Sequence, residues 1–241
     1  MLQYIKQLYG SRLASLDGDI GHAKDFYFDD KAWVIRYLVA DTGSWLTGRL
    51  VLISPHAFGK WDLYEKKLHI KLRKKQIEES PSIDQHVPVS RQFEEDYYRS
   101  FGWPAYWQGG QMWGMSGYPL VAAPLPADIA ARKALEPRED RHLQSAKTVT
   151  GYAVEASDGP IGHLSGFRVD EKSWAIRDLV VETGHWYSGK EVLIPSGKVA
   201  RIGYVESKVF VNLTKSEIQA AAGKAVAEAG AGRRQSEMLH G

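Results

Sequence analysis

DGDIGHAKDFYFDDKAWVIRYLVADTG, residues 17–43, returns 141 positions later as DGPIGHLSGFRVDEKSWAIRDLVVETG, residues 158–184. Between Leu2/Leu143 and Ile77/Ile218, 29 of 76 positions are identical and no gap is needed. That agreement makes the chain two copies of one module, and a repeat has to be recognised before a fold is assigned. It also separates what the fold uses twice from what occurs once.

Within each copy the pattern is of short strands divided by turn signals. Asp17-Gly18 is a hairpin-favouring dipeptide. It separates an expected strand over residues 10–16 from one over residues 21–28. The strongest strand runs from Trp33 to Val39, where β-branched and aromatic residues dominate and Trp33, Ile35, Tyr37 and Val39 alternate with Val34, Arg36 and Leu38. After a Thr42-Gly43-Ser44-Trp45 loop come an apolar strand over 49–54 and a basic, alternating strand over 67–72. Five or six such strands predict a small barrel or sandwich, because closure removes exposed sheet edges. In the second copy Thr214-x-x-Glu217 has the form of a capping box, so a helix is expected over about residues 215–229.

These motifs together, (I)GxxxDFxxD followed by W-x-I-R-x-L-V and TG-x-W, resemble the PRC-barrel domain, named for the cytoplasmic domain of the photosynthetic reaction-centre H subunit. The resemblance covers about residues 2–80 and 143–220. It implies a mainly β protein: two small PRC-type β-barrels in tandem, with a connector helix and a C-terminal helix. The expected boundaries are 1–80 for the first barrel, 81–142 for an aromatic-rich connector, 143–222 for the second barrel, and 223–241 for a helix end and tail. In the repeated strand pattern, Trp33, Trp45, Trp174, Trp186, Arg36 and Arg177 are expected to define the fold.

The composition, 44% hydrophobic and 25% charged, is that of an ordinary globular protein. With no cysteine, disulfides, thiolate catalysis and Cys-ligated metal sites are excluded. A formal charge of +2 argues against a global field for nucleic acid or membrane and leaves only local patches. The opening MLQYIKQLYG has no basic region leading into an apolar run, and no stretch approaches the roughly 20 apolar residues of a membrane helix. The expectation is a cytoplasmic protein with no integral membrane segment.

The repeated His22 and His163 would need partner groups for catalysis or metal binding. Asp25, near His22, becomes Gly166 near His163, so a structural or surface role is preferred. Arg36 and Arg177 are expected to brace the hairpin by pairing with Asp29/Asp170 or Asp41/Glu182, in preference to binding an anion. Those carboxylates read as turn residues rather than an acid–base pair. No Gly-x-Ser-x-Gly, Walker or dinucleotide fingerprint and no His-Glu-x-x-His occurs. No enzyme activity, cofactor or metal is assigned.

Two features occur once. Lys60, Lys66, Lys67, Lys71, Arg73, Lys74 and Lys75 form a basic stripe, four of whose members lose their charge in the second copy (Ser207, Asn212, Thr214, Ser216). Protection of a sheet edge is the favoured reading. RNA or anion contact through Lys66, Lys71, Arg73, Lys74 and Lys75 is the rival. The second feature is the connector, which holds nine of the chain's aromatic residues between Pro81 and Pro126. Phe93, Tyr97 and Phe101 follow the candidate cap Ser90 at helical spacing. A disordered linker is poor in aromatics, so the connector is expected to pack across the barrels. The candidate partner surface on it is Phe101, Trp103, Tyr106, Trp107 and Trp113.

The expected function is therefore a non-enzymatic cytoplasmic docking module for a larger protein assembly, with homo-oligomerisation compatible. The alternatives are an RNA- or ribosome-associated factor using Lys60–Lys75, and a reaction-centre-like electron-transfer accessory or small-ligand protein with a pocket between the barrels.

Overall fold

In the computed structural model, which describes residues 1–80, 91–107, 109, 111–114, 116–120, 143–184, 187 and 189–222, the hydrogen-bonded ladders form two seven-stranded sheets. Ser90, Trp186, the rest of the connector and the tail fall outside the described residues. Two compact units emerge: one comprises Met1–Lys147 with Val169–Ile176, the other Thr148–Arg168 with Arg177–Gly241. The division does not follow the repeat, because the turn that carries Trp174 belongs to the first unit.

The first unit opens with β1 (Leu2–Tyr4), β2 (Arg12–Ser15) and β3 (Gly18–Asp29). β4 (Val34–Asp41), β5 (Leu50–Ile53), β6 (Phe58–Asp62) and β7 (Lys67–Ile70) follow. Helices α1 (Lys74–Glu78) and α2 (Arg91–Phe101) come next, then β8 (Leu143–Ser145) and one turn of helix, α3 (Ala146–Val149). The sheet order is β5-β4-β3-β2-β7-β6, with β8 added to β3. The second copy of the repeat has the same order with β9 (Ala153–Ala156), β10 (Gly159–Asp170), β11 (Ile176–Thr183), β12 (Glu191–Pro195), β13 (Val199–Gly203) and β14 (Lys208–Val211), as β12-β11-β10-β9-β14-β13. Helix α4 starts at 215 and is described to 222.

Local chemistry explains the shared frame. The first hairpin closes at Ser15/Gly18, and Asp17 accepts the Lys74 amide at 2.8 Å, capping α1. Asp158 does the same for Lys215 at 3.0 Å. The expected capping box is present, with the Glu217 carboxylate accepting the Thr214 amide at 2.8 Å and Thr214 Oγ1 accepting the Glu217 amide at 3.3 Å. Thr42 Oγ1 and Thr183 Oγ1 each donate to a carbonyl seven residues on, at 2.7 Å, closing the Thr-Gly loops.

The expected closure into barrels is not seen as a continuous ladder. Among the described residues β5 does not pair with β6, nor β12 with β13. Each of these connections is a short 3₁₀ turn, Pro55–Ala57 and Ser196–Lys198. In the first unit the proline at the start of that turn has no amide to donate, and the Ser54 amide is already taken by Tyr97 Oη.

The tryptophans also depart from expectation. Trp33 and Trp174 are not strand residues but sit in turns with φ of 52° and 58°. Trp33 is half-buried and stacks on Phe28, whereas Trp174 is buried against Phe26 and Phe58. The two turns pair with each other inside the first unit, Ile35 donating to the Trp174 carbonyl and Ile176 to that of Trp33. Trp45 is half-buried on its loop, with Lys74 Nζ 5.4 Å from its ring.

Gly21 and Gly162 have φ of 117° and 153°, and a Cβ at either would overlap the carbonyl of Asp41 or Glu182 on the neighbouring strand. Both positions therefore need the absence of a side chain. Gly21→Ala and Gly162→Ala are each expected to destabilise their unit by about 2 kcal/mol or more, read as a shift of the urea-unfolding midpoint. A shift within the error of the midpoint would contradict the packing described.

Candidate functional site

β4 is buried along seven of its eight residues, on both faces, because the connector covers the face that the core does not. The cover is built around Arg36, which is 3% exposed. Its Nη2 donates to Asp29 Oδ2 at 3.0 Å and its Nη1 to the Met112 carbonyl at 2.5 Å. The guanidinium lies 3.6 Å from the centre of the Tyr106 ring and 5.0 Å from that of Trp113, so both π faces attract a largely desolvated cation. Asp29 Oδ1 also accepts the amides of Lys31 and Ala32. Burial works to raise the Asp29 pKa, but the Arg36 charge and these hydrogen bonds outweigh it and hold the carboxyl below its ordinary value.

A second buried polar group comes from α2. Glu94 is fully buried and accepts from Tyr37 Oη at 3.0 Å and Tyr106 Oη at 2.8 Å. One turn on, Tyr97 Oη donates to the Leu52 carbonyl at 2.9 Å and accepts from the Ser54 amide at 3.1 Å. Burial pushes the Tyr37, Tyr97 and Tyr98 phenols well above their ordinary range, so all three remain neutral. Helix α2 thus buries Glu94, Tyr97 and Tyr98, while Phe93 and Phe101 flank that face half-buried. The buried face is thus turned from the expected 93/97/101 stripe to Glu94, Tyr97 and Tyr98.

His56 completes the cluster from the 3₁₀ turn after β5. Its ring stacks on Trp103 at 5.3 Å and meets Trp113 and Tyr98 edge-on at 5.2 and 5.7 Å. Nδ1 lies 2.8 Å from the Leu120 carbonyl, to which it can only donate, and Nε2 has no partner among the described residues. Burial first, then the nearby Arg36 charge, lower the His56 pKa to about 4.

These contacts relocate the expected partner surface. Trp103, Tyr106 and Trp113 are 9%, 4% and 3% exposed, spent on Arg36 and His56 inside the first unit. They therefore have no surface left to offer a partner. Phe101 and Trp107 remain half-buried.

The Arg36–Asp29 pair forms as expected. Arg177, by contrast, is exposed and has no ion-pair partner among the described residues, and Asp170 instead closes its own turn onto Lys172 and Ser173. His22 and His163 are both exposed. Asp25 turns away from His22 to accept from Ser145 Oγ at 2.5 Å and from the Lys147 amide at 3.1 Å.

The part of the basic stripe on β7 is not an edge device, since β7 is paired on both sides, with β2 and β6. Lys60, on the edge strand β6, pairs with Asp62 at 3.6 Å. Lys75 pairs with Glu79, and Lys74 is half-buried beside Trp45. Lys66, Lys71 and Arg73 are exposed. No group of three or more potential metal ligands is found among the described residues, and none of their helices is long and apolar enough to cross a membrane.

His56 and Glu94 were not singled out from the sequence. Glu94 carries a readable signal, an acid three and four residues before Tyr97 and Tyr98 on one helix face. His56 carries none. Comparison with known proteins finds no matching family model and no matching curated protein.

The His56 environment has a pH consequence. Its folded pKa of about 4 lies below the ordinary 6.5, so the unfolded chain binds more protons between those values. The contribution of His56 to stability is complete above about pH 6.5 and is lost as pH falls towards 4, by on the order of 3 kcal/mol. Urea unfolding at pH 7, 5.5 and 4.5 should show that loss, and His56→Phe should flatten the slope across the interval. An unchanged slope in the variant would exclude the assignment.

Proposed function

We propose that the chain is a non-enzymatic docking module with two PRC-barrel-like units, working in the cytoplasm and binding a larger protein assembly through the tips of its β6–β7 and β13–β14 hairpins. The observation that carries the reading is a repeated exposure that the fold does not use. Tyr64 is 98% exposed at one tip, and Val205, at the equivalent position 141 residues on, is fully exposed at the other. Leu63 beside Tyr64 is 41% exposed.

Both tips are held in shape. Asp62 Oδ1 accepts the Tyr64 and Glu65 amides, each at 3.0 Å, and Lys66 follows at φ 49°. In the second, Arg201 grips both oxygens of Glu206 at 2.9 and 3.1 Å, and Ser207 follows at φ 52°. A rigid tip with a bare apolar side chain loses little entropy on binding, and tyrosine is favoured where interfaces concentrate their energy. The tandem repeat supports a module presenting the same element twice.

Gentle affinity purification of the tagged full chain from its source cell, followed by native mass spectrometry, tests this. A stoichiometric complex is expected, and Tyr64→Ser with Val205→Ser should abolish it without changing the melting temperature. A complex that survives the double substitution, or a bare monomer from the unaltered chain, would contradict the reading.

A further inference from the structure

A different surface of the first unit carries unpaired positive charge. The ladder registers set Arg12 on β2 between His22 on β3 and Lys67 on β7. Arg12 and Lys67 are thus directly opposed like charges, an arrangement that costs stability in a sheet unless something neutralises it. Leu13 and Leu68, the next pair, are fully buried, so Arg12 and Lys67 share the outer face. Arg12 is exposed and Lys67 half-exposed, and neither has an ion-pair partner among the described residues. The acids nearest in register, Asp41 and Asp62, are engaged by Lys24 at 3.7 Å and Lys60 at 3.6 Å.

One step along the same face, exposed His69 lies between Ala14 and Gly59. A Cβ on Gly59 would come within 3.2 Å of the His69 Cβ, so position 59 runs close beside His69 and contributes no side chain there. Lys71 follows, exposed, with its amide bonded to the Ala57 carbonyl. Lys67, His69 and Lys71 therefore alternate outward at intervals of about 7 Å, along a floor of small residues with Arg12 at one end.

The second unit shows what this face looks like when it is neutralised from within. Ala153 replaces Arg12, Asn212 replaces Lys71 and Glu155 replaces Ala14. There Lys208 pairs with Glu155 at 2.6 Å, and Arg201, bound to Glu206, lies 3.8 Å over the ring of Phe210, which stands in the place of His69. Among the described residues the first copy has neither that ion pair nor that ring cover, and Asp62, the acid opposite Lys67, is held by Lys60.

We infer that the outer face formed by Arg12, Lys67, His69 and Lys71 binds the backbone of single-stranded RNA, with His69 as a stacking platform for a base. A linear polyanion fits cations spaced along a strand, and an uncovered ring flanked by alanine and glycine accepts a flat base. Single-stranded RNA combines both, and histidine is among the side chains on which its bases stack. This surface does not use the hairpin tips, so its test is independent of the docking proposal.

Fluorescence anisotropy of the full chain with a fluorescein-labelled 12-nucleotide oligo(U) reads the binding directly. Three phosphate contacts give an expected log–log salt slope of about −2. Arg12→Gln with Lys67→Gln and Lys71→Gln should weaken binding at 50 mM salt by about tenfold or more and flatten that slope. His69→Ala should weaken binding several-fold and leave the slope unchanged, while Tyr64→Ser should have no effect. These residues are on the surface, and an unchanged melting temperature confirms that each variant is folded. The inference is overturned if oligo(U) does not bind, if the triple variant binds as the unaltered chain does, or if the face captures phosphatidylserine vesicles but not oligo(U).

Discussion

A guanidinium almost wholly withdrawn from water is the constraint on which the first unit rests. Arg36 occupies a central strand, where burying an isolated cation would be prohibitive. It is tolerated because Asp29 supplies the opposite charge, the Met112 carbonyl a further acceptor, and Tyr106 and Trp113 their ring faces. Two of those four partners are side chains of the connector and a third is connector backbone. Holding Arg36 and holding the connector in place are therefore the same task, and removing Arg36 leaves Asp29 buried without its counter-charge, at a cost of about 3–5 kcal/mol.

The second copy shows how far one strand sequence can be turned to different ends. Arg177, like Arg36, is preceded by Ile and followed one residue later by Leu-Val, but it is exposed. Tyr37, which reaches Glu94, is replaced by Asp178, and its cross-strand neighbour Tyr27 by Arg168. In the second unit those two replacements form an ion pair at 2.7 Å. A cross-strand tyrosine pair, one member of which reaches helix α2, is thus replaced in the other unit by a partly exposed ionic pair, without change of strand order.

Much of the strand frame was legible because it depends on local signals: the Asp-Gly hairpins, the Thr-Gly loops, the alternation of β4 and the capping box at Thr214. β6 was missed, since Phe58-Gly-Lys-Trp-Asp has a glycine and a bulge that break its period. The place of Trp33 and Trp174 was misread because aromatic residues favour strands, whereas here both hold left-handed turns. The aromatic connector was expected to be docked, but its docking point was not readable. Its centre is Arg36, 76 residues from Met112, and no local pattern announces a contact across that separation. What remains outside, the bare hairpin tips and the unmatched cations beside His69, comes into view only when the two copies are compared in three dimensions.

The most direct measurement of the central claim is hydrogen exchange of the full chain carrying Arg36→Met, set against Arg177→Met. If Arg36 fixes the connector, its substitution should remove protection from the amides of α2 and residues 111–114 and leave β9–β14 protected. Arg177→Met should change neither region. Retained protection across α2 in Arg36→Met would contradict the account, and so would an equal loss from the Arg177 substitution.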